Sequence, residues 1–119
     1  MIRTVHRVLL LLAVAVAAAL LVLPATAKTN KTVVTVKATN SLKFILSTKT
    51  VKAGVVSFKV TNTGSIPHDF KIAGKKTPLL GAGKSATLTV TLKKGKKYPY
   101  LCTVPGHAAA GMKGTVKVI

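Results

Sequence analysis

After Lys31 the chain alternates apolar and polar residues with a period of two. Val34 and Val36 face one way and Thr35 and Lys37 the other; the same alternation returns in Val56, Phe58 and Val60, in Leu88, Val90 and Leu92, and in Val116 and Val118. Successive side chains of an extended chain leave on opposite faces, so this pattern of β-branched residues predicts half-buried strands. Turn signals separate the runs: Ala53-Gly54, Asn62-Thr63-Gly64, Ala73-Gly74, Gly81-Ala82-Gly83, Lys94-Gly95 and Pro105-Gly106. Nothing beyond Ala27 shows a helical period over a useful length. The expectation is an all-β sandwich of about seven short antiparallel strands near 32–38, 42–46, 55–62, 67–72, 85–92, 97–102 and 113–118.

The N-terminus has a different pattern. Arg3 and Arg7 precede an unbroken apolar run from Val8 to Leu23, and Pro24-Ala25-Thr26-Ala27 offers a small-residue cleavage site before Lys28. This is the layout of a secretory signal peptide, and the run is short for a membrane-spanning helix. Residues 1–27 are therefore expected to direct export, with an uncleaved membrane anchor as the other reading. Residues 28–119 form the single working domain, placed in the periplasm, on the cell surface or outside the cell.

The formal net charge is +18, from 19 basic residues and one acid. Export accounts for Arg3 and Arg7. What remains is all lysine against a single carboxylate, Asp69. Hydrophobic residues make up 49% of the chain, which excludes a disordered polycation. Nucleic-acid binding is disfavoured, since an exported domain without Arg or an aromatic stacking platform lacks both target and tools. The charge points instead to an acidic protein partner, or to peripheral attraction to anionic membrane or cell-wall polymer. The domain is expected to be monomeric. Gly81-Ala82-Gly83-Lys84-Ser85 is not a phosphate-binding loop: Pro78 stands where the first glycine belongs and a strand follows.

The chemistry lies in four side chains. His68, Cys102, His107 and Met112 are the only His, Cys and Met residues beyond residue 27, and three of them fall in the spacing Cys102-x4-His107-x4-Met112 between the last two expected strands. Taken singly, a lone Cys or Met reads as core filler and His68 as a structural histidine. Taken together, a thiolate, two imidazoles and a thioether form a donor set suited to copper in both the Cu(I) and Cu(II) states. Asp69 adjoins one member of the set. It is expected to accept hydrogen bonds from the backbone or hydroxyl of Thr103, next to Cys102; pairing with a nearby surface Lys is the other reading.

The segment from Tyr98 through Cys102, Pro105, Gly106 and His107 to Met112 and Gly114, with Thr61-Asn62-Thr63-Gly64 leading into Pro67-His68-Asp69-Phe70, resembles the cupredoxins, the type 1 blue copper proteins that include azurins and plastocyanins. The resemblance covers essentially all of residues 28–119. It implies a Greek-key sandwich with one copper ion near one end, held by His68, Cys102 and His107 in a plane with Met112 axial. It also places electron exit at the outer edge of His107, within a collar of Pro105 and Ala108 to Ala110. The chain departs from many members in having Asp69 where Asn follows the first His.

These features predict a one-electron carrier working by outer-sphere transfer rather than an enzyme, since no third His remains for a further copper centre. The alternatives are exported copper storage or delivery with the same ligands, and a cupredoxin-like interaction module. Lys93 to Lys97 is expected at the pole opposite the metal, as a solvated turn, with docking to an acidic surface as the other reading.

Overall fold

The computed structural model describes residues 31–119; the expected signal segment, 1–27, lies outside the described residues. Nine strands follow one another: β1 (Thr32–Ala38), β2 (Phe44–Leu46), β3 (Thr50–Val51), β4 (Gly54–Asn62), β5 (Lys71–Ile72), β6 (Lys75–Lys76), β7 (Ser85–Leu92), β8 (Lys97–Leu101) and β9 (Lys113–Val118). They form two sheets, of order β2-β1-β4-β7 and β3-β9-β8-β5-β6.

The alternation works as the sequence suggests. Val34, Val36, Val56, Phe58, Val60, Leu88, Val90 and Leu92 from the first sheet meet Ile72, Tyr100, Val116 and Val118 from the second, all buried. Their removal from water is the main force holding the sheets together. Hydroxyl groups occupy much of the outer face of the four-stranded sheet, where Ser57 pairs with Thr89 at 3.0 Å and Thr61 with Ser85 at 2.8 Å across β4 and β7.

Three details differ from the expected pattern. There are nine strands rather than about seven, because β3 and β6 are two residues long, too short for alternation to register. The strand expected over 67–72 is reduced to β5, with His68 making only an isolated bridge to Leu80. The strands are not all antiparallel: β1 pairs parallel with β4, and β3 with β9. Side-chain alternation is the same in both orientations, so the pattern of one strand carries no information about its neighbour's direction. Here the chain leaves β1 through the β2 hairpin, crosses to the other sheet as β3, and returns as β4 on the far side of β1.

Four of the five aromatic residues form one cluster. Phe70 is packed against Phe44, Phe58 and Tyr100, with ring centroids 5.1, 5.3 and 5.4 Å away. Tyr100 is paired in register with Gly114 on β9. A Cβ at Gly114 would overlap the Tyr100 ring, so this position must be glycine for the ring to fold across the neighbouring strand. The cluster lies directly beneath the candidate metal ligands, because Phe70 and Tyr100 are each two residues, one full strand repeat, from His68 and Cys102.

Candidate metal centre

The inward alternation of β5, β8 and β9 continues past the strand ends. It runs back from Ile72 through Phe70 to His68, forward from Tyr100 to Cys102, and back from Gly114 to Met112. His68, Cys102 and Met112 are accordingly buried, and His107 is half-buried. His107 comes from the turn between β8 and β9, which is fastened internally: Cys102 N–H donates to Met112 O at 3.1 Å, Met112 N–H to His107 O at 3.0 Å, and His107 N–H to Val104 O at 3.0 Å. Gly111 has φ of 111°, which side-chain-bearing residues rarely adopt, and it lets the turn re-enter β9.

His68 is held from the other side of the sandwich. Its N–H donates to Leu80 O at 3.1 Å and its carbonyl accepts from Leu80 N–H at 2.7 Å. Leu80 O also accepts from Asn62 Nδ2 at 2.9 Å. Asn62, fully buried at the end of β4, donates further to Ile66 O at 2.8 Å and accepts from Gly64 N–H at 2.9 Å. Asn40 Oδ1 accepts from Ser65 N–H at 2.8 Å and Ile66 N–H at 3.2 Å, closing the same loop from outside. Sequence reasoning placed Asn62 at a strand end and in the turn that supports the family resemblance, but gave its side chain no partner and gave Asn40 no role. The available signal was an Asn at an inward-facing position of a strand, where a polar side chain must have buried partners.

The result is a convergence of three donor atoms. His68 Nδ1 lies 3.2 Å from His107 Nδ1, and Cys102 Sγ lies 3.5 Å from the same nitrogen; all three are within 4.8 Å of one another. With metal–nitrogen and metal–sulfur bonds near 2.0 and 2.3 Å, donors spread evenly around one ion would stand about 3.5 to 3.7 Å apart. Two of the separations are thus close to what a single first-row ion needs, and the third, between His68 and Cys102, lies within 4.8 Å. Met112 borders it through its backbone bonds to both Cys102 and His107. Nδ1 of both imidazoles faces the cluster, and the buried Nε2 of His68 has no hydrogen-bond partner.

The surroundings favour neutral groups in the metal-free protein. Burial lowers the His68 pKa, and His107 adds to that, against smaller opposing effects of the Thr39 backbone and Asp69. Burial likewise raises the Cys102 thiol, partly offset by hydrogen bonds from the Asp69 and Val104 backbones. A neutral imidazole is ready to bind a metal, whereas the thiol must release its proton as it does so.

Asp69 is 4% exposed and does what the sequence suggested for it: Thr103 N–H donates to Oδ1 at 2.6 Å and the Thr103 hydroxyl donates to Oδ2. The surface-Lys reading also has a counterpart, since Lys76 Nζ stands 3.9 Å from Oδ2. The contact with Thr103 is the closer and better shielded of the two. It joins the residue after His68 to the residue after Cys102.

Residues 30–119 match the family of copper binding proteins described as plastocyanin/azurin. The chain belongs to this family. As a cupredoxin it takes one copper ion as its cofactor. Auracyanin-B of Chloroflexus aurantiacus is 44% identical over 44% of this chain and 22% of the relative; the copper-resistant cuproprotein CopI of Vibrio cholerae is 32% identical over 54% and 50%. The chain thus spans between about a fifth and a half of the length of the curated relatives it matches. Among solved structures, auracyanin from Roseiflexus castenholzii superposes with a TM-score of 0.62 at 26% identity, covering 79% of this chain and 99% of that one. Auracyanin B gives 0.66 at 23% identity, with 80% and 93% covered, and rusticyanin 0.63 at 22%, with 78% and 82% covered. At those identities the last two speak for the cupredoxin fold alone.

Proposed function

We propose that this cupredoxin carries single electrons between proteins outside the cytoplasm, with His68, Cys102, His107 and Met112 holding its copper. The observation that supports this reading best is the convergence of two imidazole nitrogens and one thiol in a buried pocket roofed by a self-bonded turn. Copper bound there supplies a one-electron couple between Cu(I) and Cu(II). The residues supply the rest. Sulfur suits the reduced ion and imidazole suits both states, so neither oxidation state demands new ligands. The aromatic cluster, the Asn62–Leu80–His68 chain and the bonds within the turn restrict movement of the donors, which keeps rearrangement during transfer small. His107 is the one donor reaching toward solvent, beside exposed Pro105, Ala109 and Ala110. Transfer through its outer edge needs no bond to form or break in the partner.

Asp69 is a positioning residue in this scheme. By fixing Thr103 it sets the backbone that follows Cys102. Asp69→Ala should lower copper affinity by about 10- to 100-fold, the range for lost partners around metal ligands, and shift the visible absorption. Unchanged affinity, colour and potential would leave Asp69 with no part in the centre.

Copper storage or delivery is the second reading, favoured by the likeness to a relative named for copper resistance. Adding Cu(II) to the purified protein separates the two. A carrier should develop an intense blue band and show rapid, reversible voltammetry. Tight, colourless Cu(I) binding with sluggish voltammetry would favour handling.

A further inference from the structure

The lysines are unevenly divided between the two outer faces. On the four-stranded sheet the outward positions of β1, β4 and β7 carry only Lys37 and Lys59, among hydroxyls and valines. On the five-stranded sheet the outward positions carry Lys71, Lys76, Lys97, Lys113 and Lys117, all exposed, with no acid exposed among them. The register arranges them in two rows. Lys117 faces Lys97 near one end, and Lys113, Leu101, Lys71 and Lys76 lie side by side across four strands near the metal end. That second row spans about 14 Å at the usual strand spacing, and the two rows are separated by about 13 Å along β8.

Edge protection explains only part of this arrangement. It can serve for Lys76 on the edge strand β6 and for Lys97 and Lys113, which have a neighbouring strand on one side only, but Lys71 and Lys117 are flanked by paired strands on both sides. Lys97 and Lys117, and again Lys71 and Lys76, stand directly opposite each other, and like charges in that relation destabilise a sheet. Beside Pro99, where β5 has turned away from β8, lies a groove of about 280 Å³ lined by Lys71, Ile72, Ala73, Gly74, Tyr98, Pro99 and Leu101. Its floor is largely apolar and its rim is cationic.

We infer that the outer face of the five-stranded sheet docks an acidic protein surface, with an apolar side chain of the partner in the groove and carboxylates on the two lysine rows. The inference rests on the carrier reading and names where the partner sits. A concave groove suits an inserted side chain. A lipid surface would be met by several protruding apolar groups; of the large exposed ones Val33, Ile45, Ile66 and Leu79 belong to the other sheet or to the metal-end loops, and only Ile119, just past β9 at the end away from the metal, borders this face. The near row also adjoins the centre: Leu101 precedes Cys102, Lys113 follows Met112, and Lys76 reaches Asp69.

The test uses copper-loaded, reduced protein labelled with ¹⁵N and a poly-L-glutamate peptide as the probe. Amide shifts should concentrate on β5, β6, β8 and β9, and should fade as salt is raised. Combining Lys71→Gln, Lys97→Gln and Lys117→Gln should weaken binding by about tenfold, as expected for three exposed ion pairs. Combining Lys37→Gln, Lys59→Gln and Lys84→Gln removes the same charge and should change it less than twofold. Equal losses in the two triple variants, or shifts spread over both sheets, would overturn the inference, as would binding to phosphatidylglycerol vesicles but not to the peptide. Colour and voltammetry recorded on the same proteins after reoxidation to Cu(II) keep the two readings apart. A colourless protein that still binds the peptide on this face refutes the carrier; a blue, reversible protein that does not bind it there refutes the docking face.

Discussion

Cys102→Ala should abolish the blue absorption of the copper-loaded protein. The side chain contributes the one sulfur anion of the cluster, and its Sγ is 3.5 Å from His107 Nδ1. Without it, two imidazoles and a thioether remain, a set that no longer combines strong donation to Cu(II) with preference for Cu(I). The effect on stability separates a metal role from a packing role. Cys102 is buried, so the metal-free variant should lose only about 1 kcal/mol through the missing atom. Copper present at a hundred times its dissociation constant should stabilise the wild type by about 2.7 kcal/mol, and that increment should vanish in the variant. Thermal unfolding with and without copper reads both quantities. A variant that is still stabilised by copper and still blue would remove Cys102 from the centre.

The convergence of His68, Cys102 and His107 was legible in the sequence because the chain holds no spare His or Cys beyond residue 27, and because alternation carries Cys102 inward from Tyr100. Asp69 was legible for a similar reason: a solitary carboxylate beside a candidate ligand invites the question of what it binds, and Thr103 was the neighbour of the other ligand strand. The strand count and the parallel pairs were not legible. Two-residue strands are defined by their partners rather than by their own residues, and pairing between β1 and β4 depends on a crossover through the other sheet. The aromatic cluster was hidden because Phe44, Phe58, Phe70 and Tyr100 come from four strands, and no local pattern links them. The lysine asymmetry needed the sheet order, since composition gives the total charge but not the face on which it lies.

Asn62 shows the same limit most sharply, and its replacement should be among the most damaging. Asn62→Ala removes three side-chain hydrogen bonds at a fully buried position and leaves Gly64 N–H and Ile66 O without these partners. Leu80 O retains His68 N–H, so the loss concentrates on the loop before His68. Losing these two part-buried bonds and the buried one to Leu80 should cost about 1 to 3 kcal/mol. In urea, the metal-free variant should unfold at a lower midpoint with an unchanged slope, because the surface exposed on unfolding is nearly the same. Copper affinity should fall as well, since Leu80 would no longer be anchored to β4 and His68 would be held less firmly against Cys102 and His107. An unchanged midpoint would mean that water replaces the amide at no cost. A lowered midpoint with unchanged copper affinity would make Asn62 a prop of the fold alone, with Leu80 sufficient to place His68.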